Sequence, residues 1–199
     1  MEINESEKLS DFKKDFFEHA QKSSLHKNII ETKGHIVFGR GSDRPKVVFI
    51  GEAPGQSENQ LGKPFVGRSG KLLDKWINEI KLSENDFAVI NVVPIIPLNK
   101  ENGIRAPTEE EINYFLPLTE KYLQLLNPQI IVLLGRSAAS IFDKNLKLGE
   151  TKHWKNSKLF FIYHPSYYLR NGGKGFEREI EKLKIFLEEK GKQTNLENF

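Results

Sequence analysis

A glycine-rich segment, GEAPGQSENQLGKPFVGRSG, is the first stretch of the chain that could hold a ligand. It runs from Gly51 to Gly70, between an apolar run and a helical pattern, and contains five glycines and two prolines. A phosphate-binding P-loop would need a glycine in place of Ser57 and a Ser or Thr in place of Pro64. The glycine intervals also differ from the G-x-G-x-x-G pattern of dinucleotide-binding proteins. The segment therefore does not predict a nucleotide-phosphate site.

Three side chains, one of them inside this segment, favour a pocket for a flat, uncharged base. Phe65 lies in GKPFVG, where its ring could stack on a planar ligand. Asn91 interrupts an apolar run, and its amide offers a donor beside an acceptor, which match O4 and N3–H of uracil. His164 follows another apolar run, so we expect its ring at the mouth of a strand. Taken singly, each residue also fits a structural role, as a core ring, a backbone-bonded amide or a structural imidazole.

Four apolar runs predict the strands that position these residues: KVVFIG from Lys46, FAVINVV from Phe87, QIIVLLG from Gln129 and LFFIYHP from Leu159. The runs are continuous, which is typical of parallel strands buried on both faces. Helical patterns lie between them. The sequence therefore predicts an α/β fold, a three-layer α/β/α sandwich with a central, mainly parallel four-stranded sheet. Ligands bind at the carboxyl ends of such strands, where GEAPG, Asn91 and HPSYYLR would converge.

Length and composition limit the classes of protein to which the chain could belong. We expect one domain over residues 1–199, with an N-terminal helical segment at 1–35 and a flexible tail at 191–199. Thirty Lys and Arg against 27 Asp and Glu give a net charge of +3, which permits nucleic acid as a partner. No apolar run approaches the length of a membrane span, so we expect a cytoplasmic protein without a membrane partner. The chain has no cysteine, and we expect a monomer with no metal and no cofactor.

The motifs together resemble the uracil-DNA glycosylase superfamily, and within it the iron–sulfur (family 4) branch. GEAPG, GKPFVGRSG, NVV, PTEEEI, LLGRSAA and HPSYYLR occur in that branch's order and at close to its spacing, over most of the chain. The resemblance implies a monofunctional DNA glycosylase that hydrolyses the N-glycosidic bond of uracil in DNA during base excision repair and leaves an abasic site. Its partner would be uracil-containing DNA.

The resemblance also implies a role for each matched residue. His164 would hydrogen-bond uracil O2 as negative charge develops there, Glu52 would help to orient the attacking water, and Glu58 would exclude the methyl group of thymine. The residues expected to form the base pocket are Gly51, Glu52, Ala53, Glu58, Phe65, Asn91 and His164. The residues expected to contact DNA are Gly67, Arg68, Ser69, Ser166, Tyr167, Tyr168, Leu169 and Arg170.

The chain departs from the branch at its iron–sulfur cluster, which needs four cysteines. The positions that align with the four ligands are Ser24, Lys27, Ile95 and Phe115. We expect the packing of Ile95 against Phe115 and Leu25 to replace the cluster as a local staple, and base excision to survive its loss. A second departure is Asn59, which stands where the branch has an acid and which affects the expected water positioning and base specificity.

Three other functions remain compatible with the sequence. The same fold could act on another deaminated base, hypoxanthine or xanthine, although the amide of Asn91 suits a pyrimidine better. The chain could bind uracil-containing DNA without catalysis, but the joint presence of Phe65, Asn91 and His164 favours an enzyme. It could also be an α/β module for a small neutral metabolite; the basic and aromatic HPSYYLRNGGKG favours DNA instead.

Overall fold

The computed structural model describes residues 5–172 and 175–196. Within these ranges the helices are α1 (Glu5–Gln21), α2 (His26–Thr32), α3 (Gln56–Leu61), α4 (Arg68–Glu79), α5 (Glu109–Leu126), α6 (Arg136–Phe142), α7 (Pro165–Arg170) and α8 (Glu177–Leu196). The strands are β1 (Gly39–Gly41), β2 (Val47–Gly51), β3 (Phe87–Asn91), β4 (Ile130–Leu134), β5 (Thr151–Trp154) and β6 (Ser157–Ile162).

The strands form one mixed sheet of six strands in the order β1-β3-β2-β4-β6-β5. β3, β2, β4 and β6 are parallel to one another, and the edge strands β1 and β5 are antiparallel to their neighbours. The prediction of four strands is therefore corrected to six. The two additional strands read GRG and TKHW and have little buried surface, so no apolar run marks them in the sequence.

Helices pack on both faces of the sheet because consecutive strand residues point to opposite sides. Val48 and Ile50 of β2 belong to one apolar cluster, to which α1 and α5 also contribute. Val47 and Phe49 belong to a second cluster, to which α4 and α8 contribute. The continuous apolar runs of the sequence thus reflect burial on both faces, as parallel strands require.

The carboxyl ends of the parallel strands meet at one edge of the sheet. β2 ends at Gly51 and β3 at Asn91, and these two residues are partners in the strand register. β4 ends before Gly135, whose amide donates to the carbonyl of Ile162 at the end of β6 (2.8 Å). Gly135 has a φ of 95°, a conformation that favours glycine. This edge carries the segments that the sequence analysis singled out.

The chain termini differ in part from expectation. The predicted N-terminal helical segment contains α1 and α2, and its first residues lie outside the described ranges. The sequence predicts a tail from residue 191, but α8 continues to Leu196; residues 197–199 lie outside the described ranges. Among the described residues, no helix combines the length and the apolar character needed to cross a bilayer.

Candidate functional site

A cavity of about 540 Å³ opens at the carboxyl edge of the sheet. Four separate stretches of chain line it: the loop from β2 to the start of α4, the end of β3, the segment before α5 and the start of α7. The residues predicted for a base pocket that line this cavity are Glu52, Ala53, Glu58, Phe65, Asn91 and His164. The residues predicted to contact DNA that line it are Gly67, Arg68, Ser69 and Ser166.

The side chain of Asn91 lines the cavity and contains a buried hydrogen-bond acceptor. Asn91 is only 6% exposed, and among the described residues its Oδ1 has no hydrogen-bond partner. Burying an acceptor without a partner costs about 1–3 kcal/mol, so nearly all buried acceptors are satisfied in native proteins. The described residues therefore supply no donor to this oxygen, which belongs to a side chain that lines the cavity.

Gly51 leaves the space in which Asn91 and Phe65 meet. A Cβ atom on Gly51 would lie 2.5 Å from Asn91 Oδ1 and 2.7 Å from Phe65 Cζ. Gly51 itself does not line the cavity, but its missing side chain allows the amide and the ring to approach each other. Gly51 therefore contributes to the pocket indirectly, by leaving space for these two side chains.

The backbone of Phe65 is held in an unfavourable conformation. Its φ is 53°, in the left-handed region that costs a non-glycine residue about 1–3 kcal/mol. Arg40 of β1 donates through Nε to the carbonyl of Pro64 (3.1 Å), and Gly70 lacks the Cβ that would overlap the carbonyl of Phe65. The ring, 6% exposed, lies with its centroid 5.6 Å from that of His164. The surrounding loop thus fixes this ring at the cavity.

Glu58 fixes the same loop from the other side. Its carboxylate accepts backbone N–H groups from Gly55 (3.2 Å), Val66 (2.9 Å) and Gly67 (2.8 Å). These bonds join the start of α3 to the residues that follow Phe65. The sequence does not predict these three hydrogen bonds, because the donors are backbone groups that only the folded loop brings to Glu58. The predicted exclusion of thymine by Glu58 stays a prediction.

His164 is neutral near pH 7. Burial is the main reason why its pKa falls to about 4; nearby Arg170 lowers it further, and Glu58 opposes the shift. The backbone N–H of Ser166 donates to Nδ1 of the ring (3.1 Å), and Ser166 Oγ lies 2.8 Å from the same atom. Because Nδ1 accepts, the neutral ring carries its proton on Nε2. Nε2–H is therefore the group left to donate to a ligand.

Glu52 lies between two cavities. Besides the first, it lines a second cavity of about 530 Å³ between α5 and α6. Burial raises the pKa of Glu52 above its usual value, and a hydrogen bond with Ser137 opposes the shift. A half-buried carboxylate with a raised pKa is a feature of groups that handle protons at a site.

Helix α7 presents only part of its predicted DNA-contacting face. Tyr167 is 40% exposed and Arg170 is exposed, but Tyr168 is only 3% exposed. The ring of Tyr168 packs against Trp76 and Phe176, with centroids 5.4 Å and 6.2 Å away. The side chain of Tyr168 therefore anchors α7 to the core, and its predicted contact with DNA stays a prediction. Leu169 is half-buried and does not line the cavity.

The segment before α5 also forms a wall of the cavity, which no motif in the sequence indicates. Ile104 and Arg105 line it, and Arg105 forms two charge-assisted hydrogen bonds with Glu111 of α5 (2.7 and 2.6 Å). The Asn-Gly pair at 102–103 is a turn signal. Nothing in the sequence places that turn beside the cavity, because the contact depends on tertiary packing.

The residues at the four cluster-ligand positions do not fit an iron–sulfur cluster, which is held by thiolates. The chain has no cysteine, and Ser24 and Lys27 are exposed. Ile95 and Phe115, 0% and 1% exposed, belong to the same apolar cluster as Leu25. Within the described ranges, no group of three or more His, Cys, Asp or Glu residues could hold a metal ion. Apolar packing occupies this part of the molecule.

A buried hydrogen bond reinforces this packing. Asn28 of α2, 2% exposed, donates through Nδ2 to the carbonyl of Ile96 (2.8 Å) and so ties α2 to the segment after β3. Asn59, the second departure, is fully buried and donates to Thr32 Oγ1 (2.9 Å). Asn59 does not line the cavity, and its expected effect on water positioning and base specificity stays a prediction.

The fold and the cavity define an α/β protein that can enclose a flat, neutral ring at the carboxyl edge of a parallel sheet. A family model described as the uracil DNA glycosylase superfamily matches residues 38–188, and the chain belongs to this superfamily.

Three relatives carry the name Type-4 uracil-DNA glycosylase. The Thermotoga maritima protein is 35% identical over 178 residues, which are 84% of this chain and 88% of that protein. The Archaeoglobus fulgidus protein is 36% identical over 73% of this chain and 76% of its own length. The Saccharolobus solfataricus protein is 37% identical over 82% of this chain and 80% of its own length. The similarity to each relative thus extends over most of both chains.

Proposed function

We propose that the chain is a uracil-DNA glycosylase, which hydrolyses the bond between uracil N1 and deoxyribose C1′ and leaves an abasic site in the DNA. The observation that carries this proposal is that Asn91, whose Oδ1 has no partner among the described residues, lines the same cavity as Phe65 and His164. The names of the relatives support the same activity. Family membership makes a repair role the natural context.

The base would be read by its shape and by its hydrogen-bonding edge. Asn91 Oδ1 accepts uracil N3–H, and the amide nitrogen of the same residue donates to O4. Phe65 stacks on the ring, and the backbone turn at Glu52 and Ala53 faces O2. The carboxylate of Glu58, fixed by its three backbone bonds, stands beside C5 and leaves no space for the methyl group of thymine.

Catalysis would rest on stabilising the leaving base. As the C1′–N1 bond breaks, the bonding electrons stay on uracil and the sugar becomes oxocarbenium-like. His164 donates through Nε2–H to O2, and a fixed donor stabilises the forming anion more than neutral uracil. A lost donor of this kind costs about 2.7–4 kcal/mol of barrier in oxyanion holes. Glu52 orients the water that adds to C1′. The proton that this water releases passes to solvent, and the uracil anion takes a proton from solvent, so the products are neutral uracil and an abasic sugar.

Two segments beside the cavity would hold the DNA. The start of α4, with Gly67, Arg68 and Ser69, reaches the mouth of the cavity and presents a positive side chain to the phosphates. The exposed Tyr167 and Arg170 of α7 would enter the duplex where uracil leaves the stack. Every proposed group comes from one chain, so a monomer is sufficient.

The test uses duplexes that carry one uracil, one hypoxanthine or one mismatched thymine, followed by alkaline cleavage of abasic sites. We expect cleavage of the uracil strand alone. Cleavage of the hypoxanthine strand instead would assign the cavity to a deaminated purine. Tight binding of the uracil duplex without cleavage would show a protein that traps damaged DNA.

A further inference from the structure

The segment from Leu98 to Ile104 forms a short, rigid hairpin beside the cavity. Leu98 and Ile104 pair in an antiparallel bridge, and the amide of Asn99 donates to the carbonyl of Gly103 (2.9 Å). The side-chain Oδ1 of Asn99 accepts the amides of Glu101 (2.9 Å) and Gly103 (2.8 Å). These bonds satisfy the backbone of the turn locally, so the hairpin keeps one shape.

Arg105 anchors the hairpin to helix α5. Its amide donates to the carbonyl of Pro97 (3.1 Å) and its Nε to that of Leu98 (3.0 Å). Its guanidinium forms a two-pronged ion pair with Glu111, which is itself tied to the amide of Thr108 (2.8 Å). The side chain of Glu111 is 9% exposed and that of Arg105 is 31% exposed, so water reaches the pair mainly from the arginine side. The base of the hairpin is therefore fixed to the helix.

Ile104 is exposed at the base of this fixed hairpin, directly before Arg105. It is 54% exposed and lines the cavity; the other large apolar residues exposed in the described part of the chain do not line it. Apolar surface left in water is unfavourable, and covering it contributes to binding. Because the backbone is already ordered, a contact with Ile104 costs little conformational entropy. Apolar side chains of this kind pack against unstacked base steps in other DNA-binding proteins.

We propose that Ile104 packs against the nucleotide next to the extruded uracil in the same DNA strand. The hairpin then forms a second wall of the DNA contact, separate from α7. This proposal rests on the uracil-DNA function proposed above. In this arrangement the ion pair of Arg105 and Glu111 positions Ile104.

The experiment measures the binding of duplexes that contain 2′-fluorodeoxyuridine, whose glycosidic bond resists cleavage. Three duplexes are compared: one with both neighbouring bases intact, and two in which a tetrahydrofuran abasic analogue replaces the base on the 5′ or the 3′ side. We expect Ile104→Ala to weaken binding of the intact duplex about five- to tenfold, since it removes three carbons from the contact. The difference from wild type should disappear when the contacted neighbour lacks its base.

Two further variants keep the result specific. Ile104→Leu should bind like wild type, and Ile185→Ala, at a 47% exposed position on α8, should have no effect. An Ile104→Ala variant that binds like wild type, or that loses affinity equally on all three duplexes, overturns the proposal. Cleavage of ordinary uracil DNA by wild type is measured in parallel: its absence refutes the glycosylase activity, while binding still decides the role of Ile104. A wild-type chain that binds none of the duplexes refutes both.

Discussion

Gly51 and Asn91 face each other across the parallel strands β2 and β3, and the space between them is too small for a methyl group. The acceptor of Asn91 and the ring of Phe65 both lie within 2.7 Å of the point where a Cβ of Gly51 would stand. The strand register therefore brings the proposed reading group and the proposed stacking ring to the same point. The absence of one side chain makes this possible.

Gly51→Ala is expected to abolish uracil excision and to leave the fold intact. The three atoms nearest to the new methyl group all belong to the side chains of Asn91 and Phe65, so these side chains move away at moderate cost in stability. Both then leave their proposed positions around the base. Single-turnover excision of uracil and thermal unfolding of the variant check the two parts.

Gly39→Ala on β1, the edge strand next to β3, is the matched control. Its Cβ would lie 3.2 Å from a methyl group of Ile90 and 3.4 Å from the carbonyl of Val89, away from the cavity. This variant should excise uracil at close to the wild-type rate. If Gly51→Ala is as active as this control, the pocket does not depend on the convergence of Asn91 and Phe65.

Asn91→Asp is expected to lose uracil excision. A carboxylate has no donor for O4 and repels this oxygen, and its charge is costly at a site that is 6% exposed. The exposed Asn156→Asp introduces the same charge in the turn between β5 and β6 and should be harmless. Rates are compared for variants whose unfolding temperatures show that they are folded at the assay temperature. Full activity of Asn91→Asp would remove Asn91 from base recognition.

Glu58→Gly is expected to act on both specificity and stability. It opens the space beside C5, so the variant should excise some thymine from a G·T mismatch. It also leaves the amides of Gly55, Val66 and Gly67 without their acceptor, which should lower the free energy of unfolding by about 1–3 kcal/mol. Denaturant unfolding and excision from uracil and thymine duplexes measure these effects. A folded variant that excises uracil and still rejects thymine would place the gate elsewhere.

The sequence predicts the inner strands of the fold because burial on both faces leaves a continuous apolar run. The edge strands β1 and β5 escape this pattern, since one is only GRG and the other, TKHW, is mostly exposed. The end of α8 is also missed, because GKQTNL has no apolar stripe although the helix continues through this segment to Leu196. Local patterns report burial, and the two edge strands are barely buried.

The sequence predicts those residues of the candidate site that belong to local motifs. It does not predict those that reach the site only through tertiary contacts. Asn91 and His164 stand out because a polar residue interrupts or ends an apolar run. The orientation of Tyr168 cannot be derived from two adjacent tyrosines, and the structure buries the second of them. Ile104 reaches the cavity only because its hairpin is tied through Arg105 to α5. This relationship has no signature in the linear sequence.

Phe115→Ala tests whether apolar packing has replaced the iron–sulfur cluster as a structural staple. Phe115 is 1% exposed, and its loss should lower the free energy of unfolding by about 3–5 kcal/mol. Because Phe115 does not line the cavity, excision at a temperature where the variant is folded should stay within about twofold of wild type. Phe17→Ala, at a 38% exposed position on α1, should cost far less stability. A folded Phe115→Ala variant without activity would show that this region supports the site directly.

His164 should make the stability of the protein depend on pH. Its pKa falls from an ordinary 6.5 to about 4 in the folded chain, so between these values the unfolded state binds more protons. Stability is then fully present above pH 6.5 and is lost as the pH falls toward 4. From pH 7 to pH 5 the free energy of unfolding of wild type should fall by about 2 kcal/mol more than that of His164→Gln, whose side chain does not titrate. Urea unfolding at the two pH values measures the difference. Equal losses in the two proteins would mean that the imidazole is not buried in its neutral form, and would contradict a neutral imidazole as the donor to O2.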